Sequence, residues 1–312
     1  LKARGVKIHT FHKGARQIYS PANIVRLYKL IRRGKYDIVH THNTAPQLFA
    51  AICKVFRLVK LCTTEHSTNN RRRDLKWYAP IDRWMFRRYS RVICISDQAE
   101  INHRAHMKSP EDKTVCTIYN GIDYHKYAKA QAADDVRQLG AKIITNVAGF
   151  RYQKDQPTLI RAMSLLPEEF HLCLVGDGER RGEFEALISE LGLSGRVHLL
   201  GLRSDVPEVL AASDYVVMCS HFEGLSLSSL EGMASGKPFL ADNVDGLREI
   251  VEGNGVLFEH EDARGFADAI MRLDGDEDYR KRIVEQCQAK AAQYDISVMC
   301  DKYLDVYKSI LS

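Results

Sequence analysis

The stretch SHFEGLSLSSLEGMASGKP, residues 220–238, carries two carboxylates that flank a run of small and aliphatic residues. A buried-strand pattern, DYVVMCS, leads directly into it. Gly224 and Ser226 then favour a tight turn followed by a helix cap. We therefore predict that Glu223 lies in a loop at a strand end, and that Glu231 lies about two turns into the next helix.

The predicted start of this helix has the chemistry of an anion site. Backbone amides near residues 225–228 emerge at a helix N-terminus, where the helix dipole favours a diphosphate. Carboxylates do not bind phosphates, but Glu223 and Glu231 can accept hydrogen bonds from sugar hydroxyls. One carboxylate on each side of a phosphate-binding turn suits a nucleotide sugar, which combines a ribose, a diphosphate and a hexose. Two surface glutamates around a capped helix remain the alternative.

Strand and helix patterns alternate along the chain, and these elements must position the chemical groups. Short apolar, β-branched runs alternate with amphipathic stretches, which predicts parallel sheets covered by helices. In such sheets, ligands bind beyond the carboxyl ends of the strands. The residues at predicted strand ends are therefore candidates: His42, His66, residues 149–154, residues 176–178 and the stretch after DYVVMCS.

Length and composition predict two domains that need no disulfide or metal for stability. The chain has 312 residues, of which 45% are hydrophobic and 27% are charged, and a domain usually has roughly 100–200 residues. A polar, Ala-rich break at 121–141 interrupts the strand patterns. We predict domains over residues 1–125 and 126–295, followed by an amphipathic helix over 296–312.

Charge is distributed unevenly. Residues 1–115 hold 24 Lys and Arg against 8 Asp and Glu, or +16, whereas the remaining residues hold 21 against 32, or −11. In the segment 71–91, eight basic residues are interleaved with aromatic ones, among them Trp77, Tyr78, Trp84 and Phe86. This segment is either a solvated helix face or an interfacial patch for anionic lipid. A polyanion- or nucleic-acid-binding protein is the broader alternative.

Cysteine usage and the lack of targeting patterns favour a cytoplasmic protein, peripheral on the inner face of the membrane if the basic segment binds lipid. The eight cysteines form no CxxC pair and no Cys/His spacing typical of zinc, so we expect reduced thiols and no metal site. No apolar run approaches the ~18 residues of a membrane span. The opening LKARGVKIHTF lacks Met and predicts the end of a helix, then Gly5, then a strand over KIHTF, and we expect the true start of the chain to precede Leu1.

A glycine pattern in LVGDGERRG, residues 174–182, raises one further alternative. Gly-x-Gly-x-x-x-Gly after a strand is similar to a dinucleotide fingerprint and would indicate an NAD(P)-dependent oxidoreductase. The next strand, RVHLLGLR, ends without a ribose-binding acid, which weighs against it. The Asp-x-Asp in DGDED, residues 274–278, lies between helix patterns and is interpreted as a solvated turn.

Several motifs together resemble the family-4 (group 1) glycosyltransferases, which are retaining enzymes of the GT-B fold. SHFEGLSLSSLEGMASGKP resembles the family signature. The other matching pieces are YDIVHTH, VICIS, YNGID, AGFRYQKDQPTLIRAM, LVGDGERRGEFEALISELGL, VHLLGLRSDVPEVLAASD and GLREIVEGNGVLF. The resemblance covers almost the whole chain. It implies two doubly wound, Rossmann-like α/β domains that face each other across a cleft and close over the donor, with a C-terminal helix crossing back to the first domain.

The resemblance also implies roles for the matching residues. His42 would lie beside the transferred sugar, Glu223 would contact the donor hexose, and Lys154 would neutralise the departing diphosphate; these three are the predicted catalytic residues. Glu231 would hold the ribose hydroxyls. The other predicted donor contacts are Arg151, Leu202, Arg203, Gly224, Leu225, Ser226 and Leu227, with Leu202 and Arg203 flanking the base. His66 is the acceptor-side candidate.

Three departures from the family pattern accompany the resemblance. The arginine usual five residues before the phosphate lysine is Gly149 here, and Arg151 is the candidate replacement. A glycine usual at position 226 is serine. The family's first strand and its glycine-rich loop have no counterpart before Leu1.

Residues and resemblance together predict a retaining, metal-independent glycosyltransferase. It would move a hexose from a UDP- or GDP-sugar, with no other cofactor, to a lipid-linked or cell-surface glycan precursor. A GT-B site is expected to meet the leaving diphosphate with Lys or Arg and a helix N-terminus rather than a metal ion. The expected partners are the donor, the glycan acceptor and an anionic membrane surface, but not nucleic acid.

Overall fold

The computed structural model describes residues 5–11, 17–56, 59–66, 75 and 77–312. The chain folds as two compact units. Unit 1 comprises Leu1–Tyr119 with Cys300–Ser312, and unit 2 comprises Asn120–Met299. The predicted domain limits, after residues 125 and 295, differ from these divisions by six and four residues. Each unit is built on a parallel sheet with helices between its strands, which confirms the predicted α/β fold class.

Unit 1 contains a four-stranded parallel sheet. Within the described residues its strands follow chain order, β1-β2-β3-β4. His42 ends β1 and lies opposite Thr64 of β2, and Thr64 lies opposite Ile93 of β3. The strands are β1 (Ile38–His42), β2 (Lys60–Glu65), β3 (Arg91–Cys94) and β4 (Val115–Thr117).

Helices cover the sheet of unit 1 and bury Leu61, Met85 and Val92 in its core. They are α1 (Ala22–Gly34), α2 (Thr44–Cys53), the 3₁₀ turn Lys54–Phe56, α3 (Ala79–Phe86), α4 (Asp97–Met107) and the end of α14 (Ile296–Leu311). From Cys300 onward, α14 belongs to unit 1. Its Tyr303 hydroxyl lies 3.2 Å from Thr64 Oγ1. The C-terminal helix therefore returns to the first unit, as predicted.

The strand predicted over KIHTF is absent, because residues 7–11 have no regular secondary structure. The apolar residues of this segment stay in contact with water, with Val6 and Ile8 each about half exposed. A strand needs a paired neighbour for its backbone groups, and the segment pairs with no described strand. The strand that the sequence pattern predicted for this segment was therefore wrong.

Unit 2 contains a six-stranded parallel sheet in the order β10-β9-β8-β5-β6-β7. The chain moves outward from β5 to β7, then returns to β8 on the other side of β5. The two neighbours β5 and β8 thus mark the point where the strand order reverses, which is where ligands bind in such sheets. The strands are β5 (Lys142–Val147), β6 (Phe170–Val175), β7 (Val197–Gly201), β8 (Tyr215–Met218), β9 (Phe239–Asp242) and β10 (Val256–Phe258).

The central strands of unit 2 are buried on both faces, which explains their continuous apolar sequences. Every residue of β8 and β9 is buried. The helices of this unit are α5 (Tyr124–Ala128), α6 (Asp134–Arg137), α7 (Gln156–Ala162), α8 (Arg181–Glu190), α9 (Val206–Ala212), α10 (Leu227–Ala234), α11 (Arg248–Val251), α12 (Ala263–Gly275) and α13 (Glu277–Ala292).

All eight cysteines are free thiols, and six of them are buried. This agrees with the predicted absence of a disulfide framework. Among the described residues, no helix combines the length and the apolar character that crossing a membrane requires.

Candidate functional site

The loops that follow β5 and β8 are tied together at the reversal point of the unit 2 sheet. Lys154 and Ser220 form an isolated antiparallel bridge. On either side of it, His221 N donates to Gln153 O (2.9 Å) and Asp155 N donates to Cys219 O (3.2 Å). These backbone bonds extend the sheet beyond its strand ends, and they fix the two loops that carry the predicted catalytic residues.

Lys154 and Glu223, two of the predicted catalytic residues, form an ion pair between Nζ and Oε1. Their side chains are only 16% and 10% exposed, respectively. Ser220 Oγ donates a further hydrogen bond to Glu223 Oε1 (3.2 Å), and Lys154 Nζ lies 3.6 Å from Met218 Sδ. Because little water reaches the pair, its charges act on neighbouring groups with little screening.

Gly246 supports this pair from the loop after β9, and the sequence analysis missed it. Its φ is +85°, a conformation that side chains rarely adopt. A Cβ there would lie 2.3 Å from the carbonyl oxygen of Glu223 and 2.8 Å from that of Gly224. Gly246 therefore lets one loop pack directly on the backbone that holds Glu223. The signal was a glycine after a strand end, in DNVDGLRE, a position that favours close backbone approach.

Two glycines of LVGDGERRG pack the loop after β6 against the loop after β5. A Cβ on Gly176 would lie 2.0 Å from Ala148 O, and one on Gly178 would lie 2.4 Å from Phe150 O. The backbone is joined there as well, since Phe150 N donates to Asp177 O (3.0 Å). Close packing of two loops therefore accounts for these glycines without a bound dinucleotide.

Position 149, where the resemblance led us to expect arginine, is open. A Cβ on Gly149 would meet nothing closer than Arg151 Nε, at 3.7 Å, an ordinary contact distance. The Arg151 side chain thus runs alongside the place that a side chain at position 149 would take.

Helix α10 begins as predicted, with Ser226 as its cap. Ser226 Oγ accepts a hydrogen bond from Ser229 N (3.3 Å). The turn before it contains exposed Gly224 and half-buried Leu225, and exposed Leu227 is the first helical residue. One turn later, half-buried Glu231 accepts a hydrogen bond from the hydroxyl of Tyr127.

The pKa values of Tyr127 and Glu231 are both raised, and burial is the largest cause for each. Burial raises the pKa of Glu231 above its usual value, and the hydrogen bond from Tyr127 opposes that shift. Burial and the neighbouring carboxylate together raise the pKa of Tyr127. Tyr127 thus remains a proton donor toward the carboxylate. Sequence reasoning missed Tyr127 because it lies on α5, far from α10 in the chain.

Leu202 and Arg203 follow β7, which is separated from β5 by β6. Leu202 is 83% exposed. The Arg203 guanidinium is already engaged by two carboxylates, at 2.6 Å from Asp135 and 2.6 Å from Asp205, and these bonds raise its pKa. The structure therefore places this predicted pair two strands away from the loop that carries Lys154, with the Arg203 side chain held by Asp205 of its own loop and by Asp135 of α6.

In unit 1 the structure brings His42 and His66 together. Their Nδ1 and Nε2 atoms lie 2.8 Å apart at the ends of β1 and β2. His40 points to the same side, since the His40 and His42 ring centroids are 4.4 Å apart. His40 also contacts the Tyr307 hydroxyl (2.6 Å) and Thr64 Oγ1 (2.9 Å).

Burial and the neighbouring histidines together lower the pKa of two of these histidines. Burial, together with His42 and His66, lowers the pKa of His40 to about 4. Burial first and His66 second also lower the pKa of His42. Asn43, directly after His42, has φ +70° and ψ 164°, a region that is almost restricted to glycine and is strained for other residues.

The basic segment 71–91 lies partly outside the described residues, which exclude 71–74 and 76. Trp77 is 69% exposed, and Trp84 is 38% exposed with the Arg88 guanidinium 4.2 Å from its ring centroid. Phe86 is buried in the core of unit 1. Phe86, which α3 turns inward, therefore belongs neither to a solvated helix face nor to an interfacial patch.

Comparison with known families identifies the class of this protein. Residues 129–290 match the family described as glycosyl transferases group 1, and residues 2–126 match glycosyltransferase family 4. The first match alone covers more than half of the chain. The chain therefore belongs to the group 1 glycosyl transferases and is a glycosyltransferase.

Individual relatives give more detail. The chain is 28% identical to the UDP-Gal:alpha-D-GlcNAc-diphosphoundecaprenol alpha-1,3-galactosyltransferase of Escherichia coli, over 91% of this chain and 78% of that one. It is 27% identical to the N-acetyl-alpha-D-glucosaminyl L-malate synthase of Bacillus anthracis, over 94% and 80%. Among solved structures, Anabaena HepE in complex with UDP-glucose aligns with a TM-score of 0.79 at 22% identity, over 99% and 87%. This likeness confirms the GT-B fold class.

Proposed function

We propose that the protein is a retaining, metal-independent hexosyltransferase that uses a UDP- or GDP-sugar. The observation that carries this proposal is the Lys154–Glu223 ion pair at the reversal point of the unit 2 sheet. A cation and a carboxylate held side by side suit a donor in which a diphosphate is bonded to a sugar. The names of the relatives support it, since one uses UDP-Gal and a solved neighbour binds UDP-glucose.

In this proposal, fixed charges of the chain stabilise the leaving group, the nucleoside diphosphate. When the bond between the sugar and the diphosphate breaks, negative charge grows on the diphosphate, and Lys154 stabilises it. Arg151 and the amides at the start of α10 add to that stabilisation. Glu223 accepts hydrogen bonds from the hexose hydroxyls, and Glu231, held by Tyr127, accepts them from the ribose.

The acceptor is proposed to be a lipid-linked or cell-surface glycan precursor, on the basis of the diphosphoundecaprenol-linked substrate named for a relative. His42 serves beside the transferred sugar and His66 on the acceptor side. A neutral histidine at this place can accept a hydrogen bond from a hydroxyl, because its pKa is lowered.

Thermal-shift titration with UDP, GDP and ADP sugars tests the donor proposal, and EDTA is present throughout. We expect a UDP or GDP sugar to raise the melting temperature of the wild-type chain and to do so less in Glu231→Ala. Turnover with that donor should persist in EDTA, and proton NMR of the product should show the donor's anomeric configuration. Stabilisation by ADP sugars alone, or an inverted product, would contradict the proposal.

We further propose that the protein binds anionic membranes peripherally on the cytoplasmic face, through exposed Trp77 and Trp84 with the basic residues around them. An aromatic ring at the interface and Lys or Arg near acidic headgroups both favour such binding. We expect co-sedimentation with phosphatidylserine vesicles but not with phosphatidylcholine vesicles, and less of it for Trp77→Ala. Equal retention on both vesicles, or on neither, would contradict this part.

A further inference from the structure

Three loops at the carboxyl edge of the unit 2 sheet bring together Asp155, His221 and His260. These residues follow β5, β8 and β10 respectively. One ligand atom from each lies within 4.8 Å of the others. Each of the three residues comes from a different loop, so no sequence spacing could have predicted the cluster.

The two histidines have the geometry of metal ligands. His221 Nδ1 and His260 Nε2 lie 3.1 Å apart, and two nitrogens bound tetrahedrally to zinc at 2.0–2.1 Å lie ~3.3 Å apart. The other nitrogen of His260, Nδ1, lies 3.2 Å from Asp242 Oδ2. Asp242 is fully buried. A carboxylate behind a histidine in this way fixes which ring nitrogen faces the metal.

Carboxylates complete the surroundings. Asp155 is buried, and its Oδ2 accepts a hydrogen bond from Thr158 Oγ1 (2.6 Å), which fixes the side chain. Glu261 Oε1 lies 3.5 Å from His221 Nδ1 and 3.8 Å from His260 Nε2, the same two nitrogens. Glu261 is therefore placed to bind the ion as well or to balance its charge.

The cluster is open to ions from solution. Asp155, His221 and Glu261 line a cleft of about 460 Å³, which Glu183 and Glu190 also line. Of the two arginines in the cleft, Arg161 and Arg180, the second is paired with Glu183 at 2.5 Å. The cleft therefore keeps an excess of negative charge, which attracts cations.

A second histidine pair in unit 2, His171 and His198, differs from His221 and His260 in the charges around it. His171 Nδ1 and His198 Nε2 also lie 3.1 Å apart. Burial first and the charge of Arg196 second lower the pKa of His171. A cation would be repelled there, and within the described residues that pair belongs to no cluster of three ligands.

We propose that Asp155, His221 and His260 bind one Zn²⁺ ion or a transition-metal ion of similar preference, such as Co²⁺. Imidazole nitrogens and a carboxylate are ligands that such ions take. The ion would tie together three loops, of which two carry Lys154 and Glu223 at one and two residues from a ligand. If the proposed function holds, the metal steadies the donor site and supplies no chemistry to the transfer, so turnover in EDTA and metal binding are compatible.

Binding of ZnCl₂ to the metal-stripped full chain tests this inference without any donor or acceptor. By isothermal titration we expect one Zn²⁺ per chain, and CoCl₂ should give the intense visible absorption of tetrahedral Co²⁺. His260→Ala and His221→Gln should each weaken Zn²⁺ binding by about 10-fold or more. The matched control, His171→Gln, removes a histidine from the other pair and should bind Zn²⁺ like the wild type.

Circular dichroism establishes that each variant is folded, and the milder His221→Gln keeps the test valid if His260→Ala unfolds. The inference is overturned if the wild type binds no Zn²⁺, or if folded variants of His221 or His260 bind it as tightly as the wild type. Loss of binding in His171→Gln would place the ion elsewhere and would overturn it too. None of these results depends on glycosyl transfer, so a failure here leaves the proposed function standing.

Discussion

The carboxyl edges of the two sheets are built from opposite kinds of chemistry. In unit 2 it is a charged edge, which holds full charges in a partly buried pair, Lys154 with Glu223. In unit 1 it is a neutral edge, which holds the neighbouring side chains of His40, His42 and His66. Their contacts are to one another and to hydroxyls. One edge is equipped for a ligand that carries formal charge, and the other for groups that exchange or share protons.

The two edges also differ in how their backbone is held. In unit 2, glycines such as Gly176 and Gly246 bring neighbouring loops into backbone contact. In unit 1, the turn after β1 is strained at Asn43. Preorganised charges stabilise a transition state because they need not reorient. Under the proposed function, the leaving-group chemistry falls to the edge whose loops are held in backbone contact.

The sharpest way to break this comparison is Lys154→Ala, which removes the cation from the charged edge. We expect kcat to fall by about 100-fold or more, the usual loss for one preorganised electrostatic contact. Steady-state kinetics with the preferred donor measure it. Lys142→Ala is the matched control, because Lys142 also pairs with carboxylates, Glu169 and Asp274, but at the opposite end of β5. Equal losses in the two variants would refute the assignment.

The neutral edge is tested by pH. The pKa of folded His40 is about 4, whereas unfolded histidine titrates near 6.5. Between these values the unfolded chain binds more protons, so stability falls as the pH falls. We expect His40 to account for about 1–2 kcal/mol of unfolding free energy lost between pH 7 and pH 5, after allowance for its partial exposure. Urea unfolding of the wild type and His40→Asn at both pH values measures this.

Exposed His125 provides the control for that experiment, since His125→Asn should keep the wild-type dependence on pH. If His40→Asn loses as much stability between pH 7 and pH 5 as the wild type, His40 does not set the pH dependence.

A smaller effect, on UDP binding, is expected from substitutions of Glu231 and of its neighbour Tyr127. Glu231→Ala should weaken UDP binding by about 10-fold while kcat changes little, because hydrogen bonds to charged groups contribute about 1.5–3 kcal/mol each. Tyr127→Phe should weaken binding by a lesser factor, since it only frees the carboxylate to rotate. Titration calorimetry with UDP measures both. Exposed Glu285→Ala, on α13, should bind like the wild type, and a matching loss there would remove the assignment.

The smallest expected change is in the kcat of Arg151→Ala, which tests whether Arg151 is a second cation of the charged edge. Arg151→Ala should lower kcat several-fold, because one of two cations near the diphosphate is lost. Adding Gly149→Arg to that variant should recover much of the loss, since position 149 is open beside the Arg151 side chain. If Arg151→Ala is as active as the wild type, Arg151 does not replace the arginine expected at 149.

Sequence reasoning located the charged edge because its signals are local. The apolar run of β8, the turn at Gly224 and the cap at Ser226 each depend on neighbours in the chain. The rule that ligands bind at strand ends then placed Lys154 and Glu223 on one edge, although they lie far apart in sequence. Their direct pairing needed the structure, because it depends on which strands are neighbours.

What sequence reasoning missed depends on packing between distant segments. Tyr127 reaches Glu231 from α5, and Gly246 touches Glu223 from the loop after β9. Neither contact has a spacing that a motif could record. The two wrong expectations, the strand over KIHTF and the exposure of Phe86, have the related cause that a local pattern cannot report whether a partner exists or which side faces the core.

The single bridge between Lys154 and Ser220 has a consequence for altering donor preference. The loops after β5 and β8 are joined by this bridge and by the backbone hydrogen bonds on either side of it. The conformation of each loop therefore depends on that of the other. Grafting one loop from a homologue would disturb the register of the other. Residues 149–155 and 219–224 should therefore be transplanted as one cassette, together with the small residue at position 246 that makes room for it.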